Sequence, residues 1–197
     1  MAHGPDTAEL LLRISTIHDG CLDVCELKIT SLPELPKTLT YLNCEFTQIS
    51  ILPKLPETLE ILYCDNTQIS ILPKLPETLT ELYCNNTQIS ILPELPKGLV
   101  YLDCSNTQIS VLPELPKTLT YLYCSYTQIS MLQSRPCEHG SHNEPDMPEL
   151  PKSLKHLHCN NTLLKVLPKL PKTLELLCYD NVRIGILPDI PKGTYII

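Results

Sequence analysis

Apolar positions recur along this chain every 20 residues. The clearest unit is Leu75–Glu94, LPETLTELYCNNTQISILPE, and copies beginning at Leu35, Leu55 and Leu95 repeat it with few changes. Within the unit, Leu79, Leu82 and Cys84 alternate with polar neighbours, which predicts a short strand around 82–84. Asn85, Asn86 and Thr87 are turn formers that bend the chain away from that strand. Ile89, Ile91 and Leu92 then return inward. Pro93 and Pro96 fix their own φ and push the residue before each out of the helical region, so the return leg is extended polyproline II.

The frame accounts for the whole chain. Residues 1–16 precede it, with Asp6 or Thr7 placed to cap a short helix whose Leu10, Leu11 and Ile14 share one side. Such a helix would cover the exposed end of a stack. Residues 17–36 are a degraded first copy, in which Leu22 and Val24 take the places of Leu42 and Cys44. Clean copies occupy 37–56, 57–76, 77–96 and 97–116. The copy starting at Lys117 is interrupted by the insertion 133–147, QSRPCEHGSHNEPDM, before the frame resumes. Two divergent copies, 152–171 and 172–191, lead to a closing partial strand at 192–197. A lone copy buries about six apolar side chains at roughly 1.5–3 kcal/mol each, against roughly 1–2 kcal/mol per residue of ordering entropy. Stability therefore belongs to the stack, and residues 17–197 form one solenoid.

Composition sharpens this picture. Tryptophan is absent and Phe46 is the sole phenylalanine, so Leu and Ile must fill the interior. Sixteen of the 19 prolines fall at the proline places of the repeat's L-P-x-L-P frame, which makes them ordered punctuation rather than a sign of disorder. Charges three apart on the return leg, such as Lys54/Glu57 and Glu94/Lys97, are mostly opposite in sign and serve solubility and register more than stability. The net charge of −7 argues against a nucleic-acid or anionic-membrane binder. No apolar run is long enough to span a membrane, and the first residues lack the pattern of a secretory leader. Six of the ten cysteines, Cys44, Cys64, Cys84, Cys104, Cys124 and Cys159, hold one phase of the repeat. At a fixed core phase cysteine acts as a small hydrophobe, which predicts a reducing, intracellular setting; disulfides are the rival. The two N-x-T sequons at Asn85 and Asn160 are then accidental.

The skeleton Leu-x-x-Leu-x-Cys-x-x-Thr-x-Ile, seen in Leu59, Leu62, Cys64, Thr67 and Ile69, resembles that of leucine-rich repeat proteins. The short proline-rich form resembles the repeats of bacterial effectors. The choice of Cys for Leu and Thr for Asn looks closer to leucine-rich repeat proteins of giant DNA viruses such as the marseilleviruses. The resemblance implies a β-solenoid of about eight 20-residue rungs, with a parallel concave sheet serving as a protein-binding surface. The convex legs are polyproline II and extended. The family's ladder Asn is replaced by Thr47, Thr67, Thr87, Thr107, Thr127 and Thr162, whose hydroxyls can still bond loop backbone, and by Val182, which cannot.

The strongest functional signal is aromatic. Residues flanking the inward Leu and Cys face the concave side: Tyr41, Tyr63, Tyr83, Tyr101, Tyr121 and Tyr123, with Phe46 and Tyr126 just beyond in the turn. Tyrosine supplies contact area at low entropic cost and is enriched at interfaces. Duplication of one ancestral tyrosine with good β-propensity would give the same column. Asp65 and Asp103, with Glu45, Glu60 and Glu81, lie on that side and favour a basic partner.

Other chemistry is thin. Cys137, His139 and His142 are metal-ligand types in the insertion, but a structural zinc site wants four ligands, and a solvated loop reads the same. His156 and His158, two apart on a strand, could hold a metal or sense pH, or be surface accidents. Cys21-Leu22-Asp23 matches the Cys-x-Asp of a ubiquitin-ligase domain that follows some effector repeats. Here both residues fall on the first strand, so catalysis is not expected. No cofactor is implied and no enzyme is expected. The expectation is a non-catalytic module that binds a protein partner, or a second copy of itself, through the concave tyrosines, in a host-cell cytoplasm or a virion. Two alternatives are a scaffold component of a virus particle and an effector's repeat domain without its catalytic domain.

Overall fold

The structure is a computed structural model and describes residues 5–132, 150–182, 184–185 and 187–197. Helix α1 (Pro5–Ser15) is followed by β1 (Cys21–Asp23), β2 (Tyr41–Asn43), β3 (Ile61–Tyr63), β4 (Glu81–Tyr83) and β5 (Tyr101–Asp103). Then come β6 (Tyr121–Tyr123), β7 (His156–His158), β8 (Leu176–Cys178) and β9 (Tyr195–Ile196). All nine strands form one parallel sheet in chain order, a β-solenoid. Register follows the repeat: Leu42 lies beside Leu62, Leu62 beside Leu82, and Leu82 beside Leu102. A one-residue slip would turn the leucines out to solvent, so burial of one face fixes the pairing.

Each strand ends one residue earlier than the alternation predicts, because the turn claims the cysteine carbonyl. Thr87 Oγ1 donates to Cys84 O at 2.7 Å, and the same bond recurs at Thr47, Thr67, Thr107 and Thr127 at 2.7 Å and at Thr162 at 2.8 Å. Half-buried Val182 holds that place in the last rung. A second hydroxyl column staples rung to rung. Thr78 Oγ1 donates to Glu57 O at 2.9 Å and Leu59 O at 2.7 Å, and Thr58, Thr118, Ser153 and Thr173 do the same one rung apart. Gly98 interrupts that column.

The core is a single seam. Leu79, Leu82, Cys84 and Ile89 are fully buried, as are their counterparts in neighbouring rungs. The thiols donate onward along the axis, Cys44 Sγ to Tyr63 O and Cys64 Sγ to Tyr83 O, both at 3.3 Å. Burial pushes Cys44 and Cys159 up to about 12 and raises Cys64, Cys84 and Cys124 well above a free thiol. Such thiols are inert toward oxidants and electrophiles.

Two inward assignments are corrected. Ile91 was expected to point inward, yet it is 76% exposed, and Ile51 and Ile71 match it at 74% and 76%. After inward Ile89 the chain turns a corner, so Ser90 and Ile91 both face out before Leu92 returns. On α1, Leu10 is buried and Ile14 packs on the core, but Leu11 faces solvent. Asp6 lies inside the helix and accepts from Lys28 N at 2.8 Å, while Arg13 Nη1 donates to Asp23 O at 2.8 Å. The helix thus closes the β1 end of the sheet. On the return leg, Lys54 and Glu57 approach to 3.8 Å, both well exposed.

Candidate interaction face

The two outward positions of each strand form two columns. In-register parallel strands lie about 4.8 Å apart, a spacing at which aromatic rings on neighbouring strands meet. Tyr63 and Tyr83 share a column and stack with centroids 4.1 Å apart and planes 10° off parallel. Contact then crosses to the other column, Tyr83 to Tyr101 at 4.4 Å. Tyr101 touches both Tyr121, at 5.8 Å, and Tyr123, at 5.3 Å. Tyr41 joins at the other end, 5.7 Å from Tyr63. All six are half-buried, each walled by its neighbours with one side left to solvent.

The ladder runs further than its tyrosines. Tyr121 meets His156 edge-on at 4.9 Å, and Tyr123 lies 4.3 Å from His158. The histidines therefore continue the aromatic strip, a role that ring counting by tyrosine alone misses. His158 Nε2 sits 3.7 Å from Cys178 Sγ, because Cys178 occupies the outward column rather than the thiol seam. Burial, followed by the neighbouring His156, holds His158 below the usual imidazole range.

Acidic groups line the same strip. Tyr83 donates its hydroxyl to Glu81 Oε2 at 3.0 Å. Asp103 Oδ1 accepts from Ser105 N at 2.9 Å, yet burial still raises its carboxyl above the ordinary range. Burial is also the main cause that pushes the Tyr83 and Tyr101 phenols well above their usual range. At neutral pH these rings are hydrogen-bond donors with exposed faces, beside carboxylates whose desolvation is partial.

Asp65 is not offered to a partner as expected. It lies two residues past β3, is 7% exposed, and its Oδ2 accepts from Asn66 Nδ2 at 2.8 Å. Phe46 and Tyr126 lie in the turn, away from the ladder; among the described residues no ring contact joins either to it. Cys137, His139 and His142 fall outside the described residues. Among those described, no three ligand-type side chains converge. Cys21 is raised by burial and Asp19, and Cys25 is pushed up to about 11 by its hydrogen bond with Asp23, the reverse of what a nucleophilic thiol needs.

A parallel sheet one short strand deep per rung, a leucine and thiol seam behind it and a hydroxyl-bonded turn after each strand define a leucine-rich repeat solenoid. No protein-family model matches the chain, and no curated protein is similar to it in sequence at a significant level. Solved structures do match. YopM from Yersinia enterocolitica WA-314 superposes with a TM-score of 0.87 at 28% identity, over 100% of this chain and 42% of that one. This chain thus spans about two fifths of the YopM chain's length. The leucine-rich effector protein YopM from Yersinia pestis gives 0.57 at 26% identity, over 90% of this chain and 58% of that one. A Shigella effector leucine-rich repeat domain gives 0.62 at 24%, over 83% and 80%, a likeness of fold alone.

Proposed function

We propose that this chain is a non-catalytic protein-binding module whose recognition surface is the aromatic strip of the concave sheet. The observation that carries this reading is the unbroken ring contact from Tyr41 through Tyr83 and Tyr101 to His158. Half-exposed stacked phenols give a partner a rigid, amphipathic platform that loses little entropy on binding. Glu81 and Asp103 within the strip favour a basic segment, whose guanidinium or ammonium groups can sit on ring faces and meet the carboxylates at the edges. The similarity to the leucine-rich effector protein YopM from Yersinia pestis agrees with a protein that acts by binding. The reduced thiols among the described residues suit an intracellular setting.

The test is paired affinity capture with the wild type and with Tyr83→Ala and Tyr101→Ala. The expected result is a protein retained by the wild type and lost from both variants, which then binds the purified wild type directly. Identical retention by all three would remove the aromatic strip as the site.

A further inference from the structure

Beyond the sheet, the solenoid carries a second organised surface. The turn and return leg of five consecutive rungs, residues 46–51 to 126–131, present four outward positions each. One column is Gln48 and its counterparts to Gln128; the next is Ser50 and its counterparts to Ser130. Beside them runs the stripe Ile51, Ile71, Ile91 and Val111, all more than two-thirds exposed, extended by exposed Met131. The fourth column is Asn66, Asn86 and Asn106, bracketed by Phe46 and Tyr126. None of these residues is charged, although the chain as a whole carries −7.

The wall is also regular. The Gln column is tied rung to rung through the backbone, with Gln68 N to Ile49 O and Gln88 N to Ile69 O both at 2.9 Å. Side-chain amides bond along the axis too, Gln88 Nε2 to Gln68 Oε1 at 2.9 Å and Asn106 Nδ2 to Asn86 Oδ1. These bonds order the middle of the wall along the axis, and the aliphatic stripe runs beside them as its apolar surface.

Its two ends point to the occupant. Every residue of the fourth column has positive φ, a backbone that suits Asn and is unfavourable for a bulky side chain. The two rungs that break with Asn put an aromatic there, Phe46 at φ 54° and Tyr126 at φ 56°, 57% and 61% exposed. They stand two rungs either side of Asn86. A two-fold axis along that middle rung, in the plane between two copies, sets Phe46 against the partner copy's Tyr126. It also lays the aliphatic stripe on itself with Ile91 at the centre.

We infer that this wall is a self-association surface whose occupant is a second copy of the same chain. An acidic molecule meets its own copy most easily where it carries no charge. Five rungs about 4.8 Å apart and about 16 Å of leg give a footprint on the order of 400 Å², roughly half the ~800 Å² per partner of a standard interface. The dimer is therefore weak, forms only at high protein concentration, and does not weaken as salt rises.

Analytical ultracentrifugation of the full chain over a concentration series tests this. The wild type should move from the monomer mass toward twice that mass, and equally so in high salt. Ile91→Lys and Ile91→Glu should each stay monomeric, since either sets like charges face to face on the axis. An equimolar mixture of the two should dimerise again. Phe46→Asn with Tyr126→Asn should raise the dissociation constant at least tenfold while the fold melts no lower, and Tyr83→Ala should leave it unchanged. A wild type monomeric at every concentration, a dimer that survives Ile91→Lys, or variants that fail to recombine would each overturn the proposal. A dimer lost in Tyr83→Ala instead would place self-association on the concave sheet.

Discussion

The outer wall is built from five of the rungs that also carry the concave sheet, yet the two surfaces differ in how much they vary. Along the wall, one column is glutamine and the next serine through five rungs, and the aliphatic column changes only from Ile to Val and Met. Along the sheet, the column beginning at Asp23 reads Asp, Asn, Tyr, Tyr, Asp, Tyr, His, Cys. A surface that repeats itself can match only something equally periodic, and a copy of the same chain is the nearest such object. A surface that changes from rung to rung can encode one particular partner. The scaffold explains why both are tolerated: register, thiol seam and hydroxyl staples are all inward or axial, so outward positions are free to be uniform or diverse.

The comparison can be broken most severely from behind. Leu82 is fully buried in the seam shared by both faces. Leu82→Ala should lower unfolding free energy by about 2–5 kcal/mol in denaturant titration and impair both surfaces together. A smaller effect has the opposite sign. Phe46→Asn relieves an unfavourable left-handed backbone at an exposed site and should gain up to about 1–2 kcal/mol in the same assay. A change confined to dimerisation, with no gain in stability, would show that the backbone there is not strained.

Gly98→Thr tests the staple column. Gly98 has no positive φ, and an added Cβ would meet only Glu77 O, at 3.9 Å. The new hydroxyl can donate to that carbonyl as Thr78 does to Glu57 O. The gain should be about 1 kcal/mol, from a restored hydrogen bond and a less flexible unfolded chain.

The smallest effect separates the sheet from the wall by pH. The fold holds His158 below the usual imidazole range, chiefly by burial and then by His156, so the folded state resists its protonation. Stability is therefore full above the unfolded pKa and declines as pH falls through and below that range. His156 on the same strand, Tyr123 of β6 at 4.3 Å and Cys178 of β8 at 3.7 Å are the ionisable groups that face it. His158→Gln should flatten the decline in denaturant titrations at pH 7.5 and pH 5.5, whereas wall substitutions should leave the slope alone.

Much of this is legible in the chain itself, because repetition states the same fact several times. Leu82 and Cys84 recur at a fixed phase, and that phase alone places tyrosines outward and thiols inward. What was not legible depends on geometry that no period describes. Ile91 looked like another inward aliphatic, but it sits where the leg turns its corner and two successive side chains point out. Asp65 looks like a surface acid, but the turn buries it, and its carboxylate accepts from Asn66 Nδ2. The histidines of β7 share no residue type with the tyrosines they extend; only the in-register pairing across the insertion, Tyr121 beside His156 and Tyr123 beside His158, joins them to the strip.

The division between the two faces is tested most directly by titrating one partner recovered with the wild type against Tyr83→Ala and Ile91→Lys, at protein concentrations too low for dimers. The account predicts at least a tenfold loss of affinity for the first and wild-type affinity for the second. Wild-type affinity for Tyr83→Ala with a loss for Ile91→Lys would contradict it.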